Sequence, residues 1–323
     1  MGNTTSASLD FNPTTDLVDL NGKVVVVTGG NSGIGLATVR HLARAHAKVY
    51  LAARSESRAH AAIAALEKEF EDEGLIRGDD YGEILWHELD LTDPRDAKRS
   101  AEAFLKREKQ LDILINNAAI LKAPFEISQD GISTIVIINY MSPFVFTYTL
   151  LPLLKATALE PQSDVRVVNI SSMMHDFTPT PIHFNSLDNL NSEYKWRWQG
   201  RYAYTKLLVI LWTLALQSRL GGSNITCISL DPGGVDTFSH TFPFPTIARW
   251  ILRLMLPDPV VGSFNSVFAT AGKKVAEEKE KYMGVYLESK PIGKIGELNA
   301  RFGGYEKAEE LWKLSKSFLE GIS

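Results

Sequence analysis

Lys23 to Gly35 reads KVVVVTGGNSGIG. Four valines and a threonine favour an extended strand, and the run breaks abruptly into a glycine-rich turn. From Ile34 to Ala47 the apolar residues recur at helical spacing, so the stretch reads as strand, turn, helix. Gly29 permits the tight turn, Gly33 lets backbone approach a bound group, and Gly35 lets the helix pack close to its strand. The first N–H groups of a helix lack intrahelical acceptors and carry partial positive charge, so they suit an anion. In this context the pattern predicts a dinucleotide site, with its pyrophosphate at Gly29, Asn31, Ser32, Gly33, Ile34 and Gly35.

Further strands are expected at Lys48–Ala53, Glu83–Leu89, Leu111–Ile115, Val165–Ile170, Asn224–Leu230 and, last, Gly284–Leu287. Helical spacing separates them, over Ser57–Glu73, from near Pro94, and over Arg201–Arg219. This alternation predicts an α/β fold, a Rossmann-like doubly wound parallel sheet of about seven strands with helices on both faces. Residues 1–20 read as a polar arm, and residues 21–323 as a single domain with insertions near 173–200 and 238–258.

The chain has 323 residues and a formal net charge of −4, with Lys and Arg dispersed, so nucleic acid is not an expected partner. Cys227 is the only cysteine, which excludes an intramolecular disulfide. The seven histidines show no ligand spacing, so no metal site is expected. The N-terminus lacks the features of a secretory or transit signal, and the expected location is cytoplasmic. Met1–Ser6 fits the spacing for N-myristoylation, although one acyl chain binds a membrane only marginally. Gly131–Leu154 is the most apolar stretch, but Asn139, Ser142, Pro143 and Pro152 interrupt it, so it reads as a long helix buried on two sides. A buried amide such as Asn139 needs partners, as a core polar group or as part of a site.

Arg54 lies nineteen residues beyond Gly35, where an NAD enzyme carries an acidic residue for the ribose. Ala53 and Arg54 leave room for a 2′-phosphate and offer a guanidinium to grip it, which favours NADP(H) over NAD(H). The alternative for Arg54 is a solvated charge at a strand end. Asp90 ends the third strand beside Leu91, and its alternative role is to cap the helix near Pro94, which Thr92 or Asp93 can also do. The strand Val165–Ile170 delivers Ser171 and Ser172 to its carboxyl edge. Alternation lets one of the two face a site there. Tyr202 and Lys206 are spaced i, i+4 and share one helix face, whereas Tyr204 points elsewhere.

Taken in order, Thr28–Gly35 (TGGNSGIG), Asn116–Ala119 (NNAA), Ser171–Ser172 before Tyr202-Ala203-Tyr204-Thr205-Lys206, and Pro232–Thr237 (PGGVDT) resemble the short-chain dehydrogenase/reductase family. The stretches VYLAARS, VVNISSMMH and the late LW are most similar to its retinol-dehydrogenase-like branch. The resemblance implies hydride transfer between a nicotinamide and a carbonyl or alcohol carbon of a bulky apolar small molecule. It gives Tyr202 the proton, with Lys206 lowering the phenol toward working pH and holding the nicotinamide ribose, and Ser172 the substrate oxygen. Asn139 would anchor a water linking Lys206 to solvent. Asp90 would meet the adenine with Leu91 beside it on the cofactor, Asn117 and Ala118 would line the nicotinamide ribose, and the loop with Pro232 and Gly233 would cup the nicotinamide, its carboxamide held by Val235 and Thr237. Ala119 departs from the glycine of the family's NNAG. The apolar segment Thr241–Pro259 would be a substrate lid, with peripheral membrane contact as its alternative, and the long apolar helix would make a homodimer or homotetramer. A non-catalytic NADP(H)-binding sensor or partner subunit is the alternative function; such relatives lose the Tyr or the Lys.

Overall fold

A computed structural model describes residues 11–191, 197–233 and 259–322. Val235, Thr237, the expected lid and the myristoylation motif lie outside the described residues. Eight strands form one sheet: β1 (Val24–Thr28), β2 (Lys48–Ala53), β3 (Ile84–Glu88), β4 (Ile113–Asn116), β5 (Val165–Ile170), β6 (Ile225–Leu230), β7 (Tyr286–Glu288) and β8 (Lys294–Gly296). Their order is β3-β2-β1-β4-β5-β6-β7-β8, parallel except for the antiparallel edge pair β7 and β8. The reversal of order between β1 and β4 opens a crevice at the carboxyl edge, which is where ligands bind in such sheets. β8 adds a strand to the expected set; three residues without an apolar pattern leave little trace in the sequence.

Both sheet faces are buried along β1, β2, β4, β5 and β6, and alternate residues of these strands feed two cores. Val24 and Val26 point into one core with α3 (Pro94–Arg107), α5 (Ser142–Thr157) and α6 (Arg197–Arg219). Val25 and Val27 point into the other with α1 (Gly33–Arg44), α2 (Glu56–Asp72) and the helix Phe264–Ala271. The stretch read as a polar arm docks on this second core from residue 11 onward. Phe11 is buried edge-on against Phe268 at 5.6 Å, and Leu17 forms a bridge to Gly272. Only the apolar spacing Phe11, Leu17, Leu20 signals this, and it is too sparse to read as an element.

The long apolar helix begins at α4 (Thr134–Val136), passes through a π turn, Ile137–Met141, and continues as α5. By length and composition Thr134–Thr157 can cross a membrane, yet most of it is buried inside the protein. The C-terminal helix Gly304–Gly321 packs along it and α6: Trp312 meets Phe144 edge-on at 5.3 Å, and the hydroxyls of Tyr140 and Ser315 are 2.6 Å apart. Arg219 holds Glu309 through both guanidinium nitrogens at 2.6 and 2.7 Å. Part of the apolar face of this long helix thus packs against the chain's own last helix.

Candidate active site

A cleft of about 750 Å³ runs along the carboxyl edge of the sheet, from the β1–α1 turn to the end of β6. At its first end the backbone is the working material. Gly29 and Gly33 adopt positive φ, 65° and 55°, which only glycine takes without strain. A Cβ on Gly35 would run into the Gly29 carbonyl and the Asn117 amide. Ser32 stands at the N-cap of α1 in an extended conformation and makes no side-chain cap bond, so the first-turn N–H groups stay open to a ligand. The donor set fits a pyrophosphate.

Asn117 ties β4 to β1. Its Nδ2 donates to the Thr28 carbonyl at 2.8 Å, and the backbone N–H groups of Asn117 and Ala118 both donate to Thr28 Oγ1, at 2.9 and 3.0 Å. Next to it, Asn116 Nδ2 donates to Thr147 and Asn169, a buried amide link between β4 and β5. Asp90 and Leu91 line the cleft. The helix-cap role belongs to Asp93, which accepts from Arg95 N at 2.8 Å; Asp90 instead accepts from the N–H and hydroxyl of Thr92. Arg54 sits exposed at the rim, joined by Arg58, one turn into α2. Arg58 was missed from the sequence, because Arg54 lies before the extended Ser55 cap and the spacing of four between them is not a helical one.

At the other end, β5 presents both serines, with different outcomes. Ser171 is buried and its hydroxyl donates to the Lys206 carbonyl at 2.8 Å. Ser172 is half-buried in the cleft wall, and its hydroxyl accepts from Met174 N at 3.2 Å, which starts the 3-10 turn Met173–Phe177. That leaves the Ser172 proton for a ligand. His175 closes the turn by donating from Nδ1 to the Ser172 carbonyl at 2.8 Å. On α6, Tyr202 and Lys206 face the cleft together, with Lys206 Nζ 5.4 Å from the Tyr202 ring centre and donating to the Ile170 carbonyl at 2.8 Å. Tyr204 turns away and donates to the Asn189 carbonyl at 3.0 Å.

One expectation needs correction. Lys206 was expected to bring Tyr202 toward neutral pH, but burial and the carboxylate of Asp231 push the phenol well above its ordinary value. Lys206 is itself pushed down by burial, to about 8, with Asp231 opposing the shift. The Asn139 side chain bonds elsewhere than to Lys206. Its Nδ2 donates to the Ile120 carbonyl at 2.8 Å and to Thr205 Oγ1 at 3.1 Å, while Oδ1 accepts from Ile120 N at 2.8 Å. One amide hydrogen thus holds the segment after β4, whose Ile120 lines the cleft, and the other holds α6. Pro143 has no N–H to offer the Asn139 carbonyl four residues earlier, which accounts for the π turn here. Pro232 and Gly233 line the cleft after β6. Asp231, buried at the same edge, was not singled out from the sequence.

The comparisons agree with this geometry. A family model for short chain dehydrogenase matches residues 23–181. The chain is 41% identical over 314 residues to a short-chain dehydrogenase/reductase of Armillaria gallica, covering 94% of this chain and 95% of that protein. The chain belongs to the short-chain dehydrogenase/reductase family. It falls in the branch of human retinol dehydrogenase 12, to which it is 37% identical, covering 94% of this chain and 88% of that one. A crystal structure of a Mycobacterium Paratuberculosis protein superposes with a TM-score of 0.69 at 25% identity, covering 96% of this chain and 97% of that one. Membership makes this short-chain dehydrogenase an oxidoreductase that binds a nicotinamide cofactor and acts between carbonyl and alcohol.

Proposed function

We propose that the protein is an NADP(H)-dependent oxidoreductase that interconverts a carbonyl and an alcohol on a bulky apolar small molecule, with Tyr202 moving the proton. The observation that carries the reading is the single cleft in which Tyr202, Lys206 and Ser172 stand at one end and the open helix start with Arg54 and Arg58 at the other. When bound, the nicotinamide supplies or accepts the hydride. The chain does the rest. Ser172 donates its hydroxyl proton toward the substrate oxygen, where negative charge develops. Tyr202, held as the phenol by burial and Asp231, gives its proton to that oxygen in reduction and takes one back in oxidation.

Two guanidinium groups at the same rim of the cleft suit the 2′-phosphate, which NADP(H) has and NAD(H) lacks. The apolar substrate is supported by Ile120, Leu121, Met173 and Met174 in the cleft wall, and by Met173 and Phe177, 61% and 69% exposed on the turn beside Ser172. The test is a paired titration of NADPH and NADH, followed by turnover of apolar ketones and aldehydes by the wild type and by Tyr202→Phe. The expected result is tighter NADPH binding in both proteins, with kcat about a thousandfold lower in the variant. Activity retained by Tyr202→Phe overturns the role of Tyr202, and equal or tighter NADH binding overturns the cofactor.

A further inference from the structure

A buried carboxylate stands in the wall of the same cleft. Asp231 directly follows β6 and is 4% exposed. Ile170 on β5 lies opposite Leu230 on β6, so Asp231 leaves the sheet one residue beyond the partner of the carbonyl that receives Lys206 Nζ. Its backbone is pinned on both sides. The Asp231 N–H donates to the Leu287 carbonyl at 2.9 Å, and its carbonyl accepts from Asn265 Nδ2 at 2.7 Å. Asn265 is fully buried and also joins Glu288 to Gly293, donating to the first and accepting from the second.

We propose that Asp231 is a positioning residue whose carboxylate is the counter-charge for the buried Lys206 ammonium and biases Tyr202 toward the phenol that donates a proton to a carbonyl oxygen. The inference rests on the oxidoreductase reading above only for its second half. An ammonium deprived of water needs either several acceptors or an opposing charge. Lys206 is 2% exposed and donates to the Ile170 carbonyl, a neutral acceptor for one of its three hydrogens. Asp231 opposes the effect of burial on Lys206 and adds to it on Tyr202, so one charge holds both groups in their protonated forms.

The neighbouring acidic groups do not share this task among the described residues. Asp176 on the Met173–Phe177 turn and Glu288 on β7 act with Asp231 on Tyr286, whose phenol is pushed up chiefly by burial, but not on Lys206 or Tyr202. His175 faces Tyr286, at 4.8 Å between ring centres, and its Nε2 stands 3.7 Å from Asp176. Of these three carboxylates, Asp231 is the one that lines the cleft with Tyr202 and Lys206.

The direct test is a pH titration of full-length protein carrying 13Cε-lysine, followed by NMR, with Lys206→Arg assigning the resonance. The expected midpoint is near 8 in the wild type. In Asp231→Asn it is expected about one pH unit lower, with Asp231→Glu restoring most of the difference. Asp231→Ser gives a second neutral variant should the Asn protein fail to fold. The alkaline limb of carbonyl reduction should move with the NMR midpoint, whereas a purely structural lesion lowers kcat at every pH and leaves the limb in place. A Lys206 midpoint unchanged in a folded neutral variant overturns the proposal. The NMR measurement needs no turnover, so a protein inactive on every substrate counts against the proposed function and not against the counter-charge.

Discussion

The two ends of the cleft are made of different materials. Toward β1, β2 and β3 the ligand meets backbone: two left-handed glycines, an uncapped helix start, and guanidinium groups standing outside at the rim. Two ionisable groups buried behind that end, His41 on α1 and His87 on β3, are both pushed down to about 4 by burial and so stay neutral. Toward β5, β6 and β7 the wall itself carries an ammonium, a carboxylate and a phenol in contact with the cleft. A phosphate can be recognised from outside by dipoles and exposed charge. A proton has to be moved by a group that touches the reacting atom. The charge that a ligand meets therefore stands at the rim at one end and in the wall at the other.

The sharpest way to break the first half of this contrast is Gly35→Ala. The added methyl meets the Gly29 carbonyl and the Asn117 amide, neither of which can retreat without opening the β1–β4 contact. Expected losses are about 3 kcal/mol in urea denaturation and at least about tenfold in NADPH affinity. Gly321→Ala is the control, since a Cβ there meets nothing within 4 Å, and it should stay within about 0.5 kcal/mol of wild type. Equal behaviour of the two variants would mean that the cofactor end does not depend on close backbone approach.

The second half predicts a dependence of stability on pH. Lys206 has a folded pKa of about 8 against an ordinary 10.5, so the unfolded chain binds this proton more tightly. Below pH 8 the folded state carries the full cost of the buried charge, and the cost is relieved as pH rises from about 8 to 10.5. That pH-dependent cost is about 3 kcal/mol. Lys206→Met removes it but also leaves the buried Asp231 carboxylate without its opposing charge, so the expected signature is the loss of the rise in stability between pH 8 and 10.5 in urea denaturation, together with the loss of turnover. A Met variant that keeps the rise would show that another group titrates there.

The same contrast explains what could be read from the sequence. Backbone devices leave residue-type signatures, so Gly29, Gly33 and Gly35 gave the cofactor end, and strand periodicity gave the sheet. The i, i+4 pair Tyr202 and Lys206 was legible because both residues sit on one helix. Asp231 was not, because its importance comes from the β5–β6 register and from burial, and nothing local to Leu230-Asp231-Pro232 reports either. For the same reason the direction of the Tyr202 shift was misread: spacing brings Lys206 near, but the carboxylate and the depth of the site decide the sign. Asn139 could be read as a buried amide in need of partners, while its partners, Ile120 and Thr205, belong to segments 19 and 66 residues away.

The smallest expected effect tests the neutral histidines of the cofactor end. His87 lies among Tyr50, Phe104 and Phe146, with its Nε2 2.9 Å from the Ser100 hydroxyl. Ser100 donates its one hydrogen to the Glu88 carbonyl, so the network assigns Nε2–H as the donor to Ser100, and a second proton would have to enter at Nδ1. Burial, with Arg107 nearby, holds the folded pKa at about 4 against an ordinary 6.5. Between those values the unfolded chain binds a proton that the folded one refuses, so stability falls as pH drops from about 6.5 toward 4. Phenylalanine fits the aromatic surroundings and leaves Ser100 its bond to Glu88. Between pH 7 and pH 5.5 the wild type should lose about 1 kcal/mol more than His87→Phe in urea denaturation, while His41 supplies a similar slope common to both proteins. Parallel slopes would mean that His87 accepts its proton without leaving the fold, and the cofactor end would then tolerate buried charge as the catalytic end does.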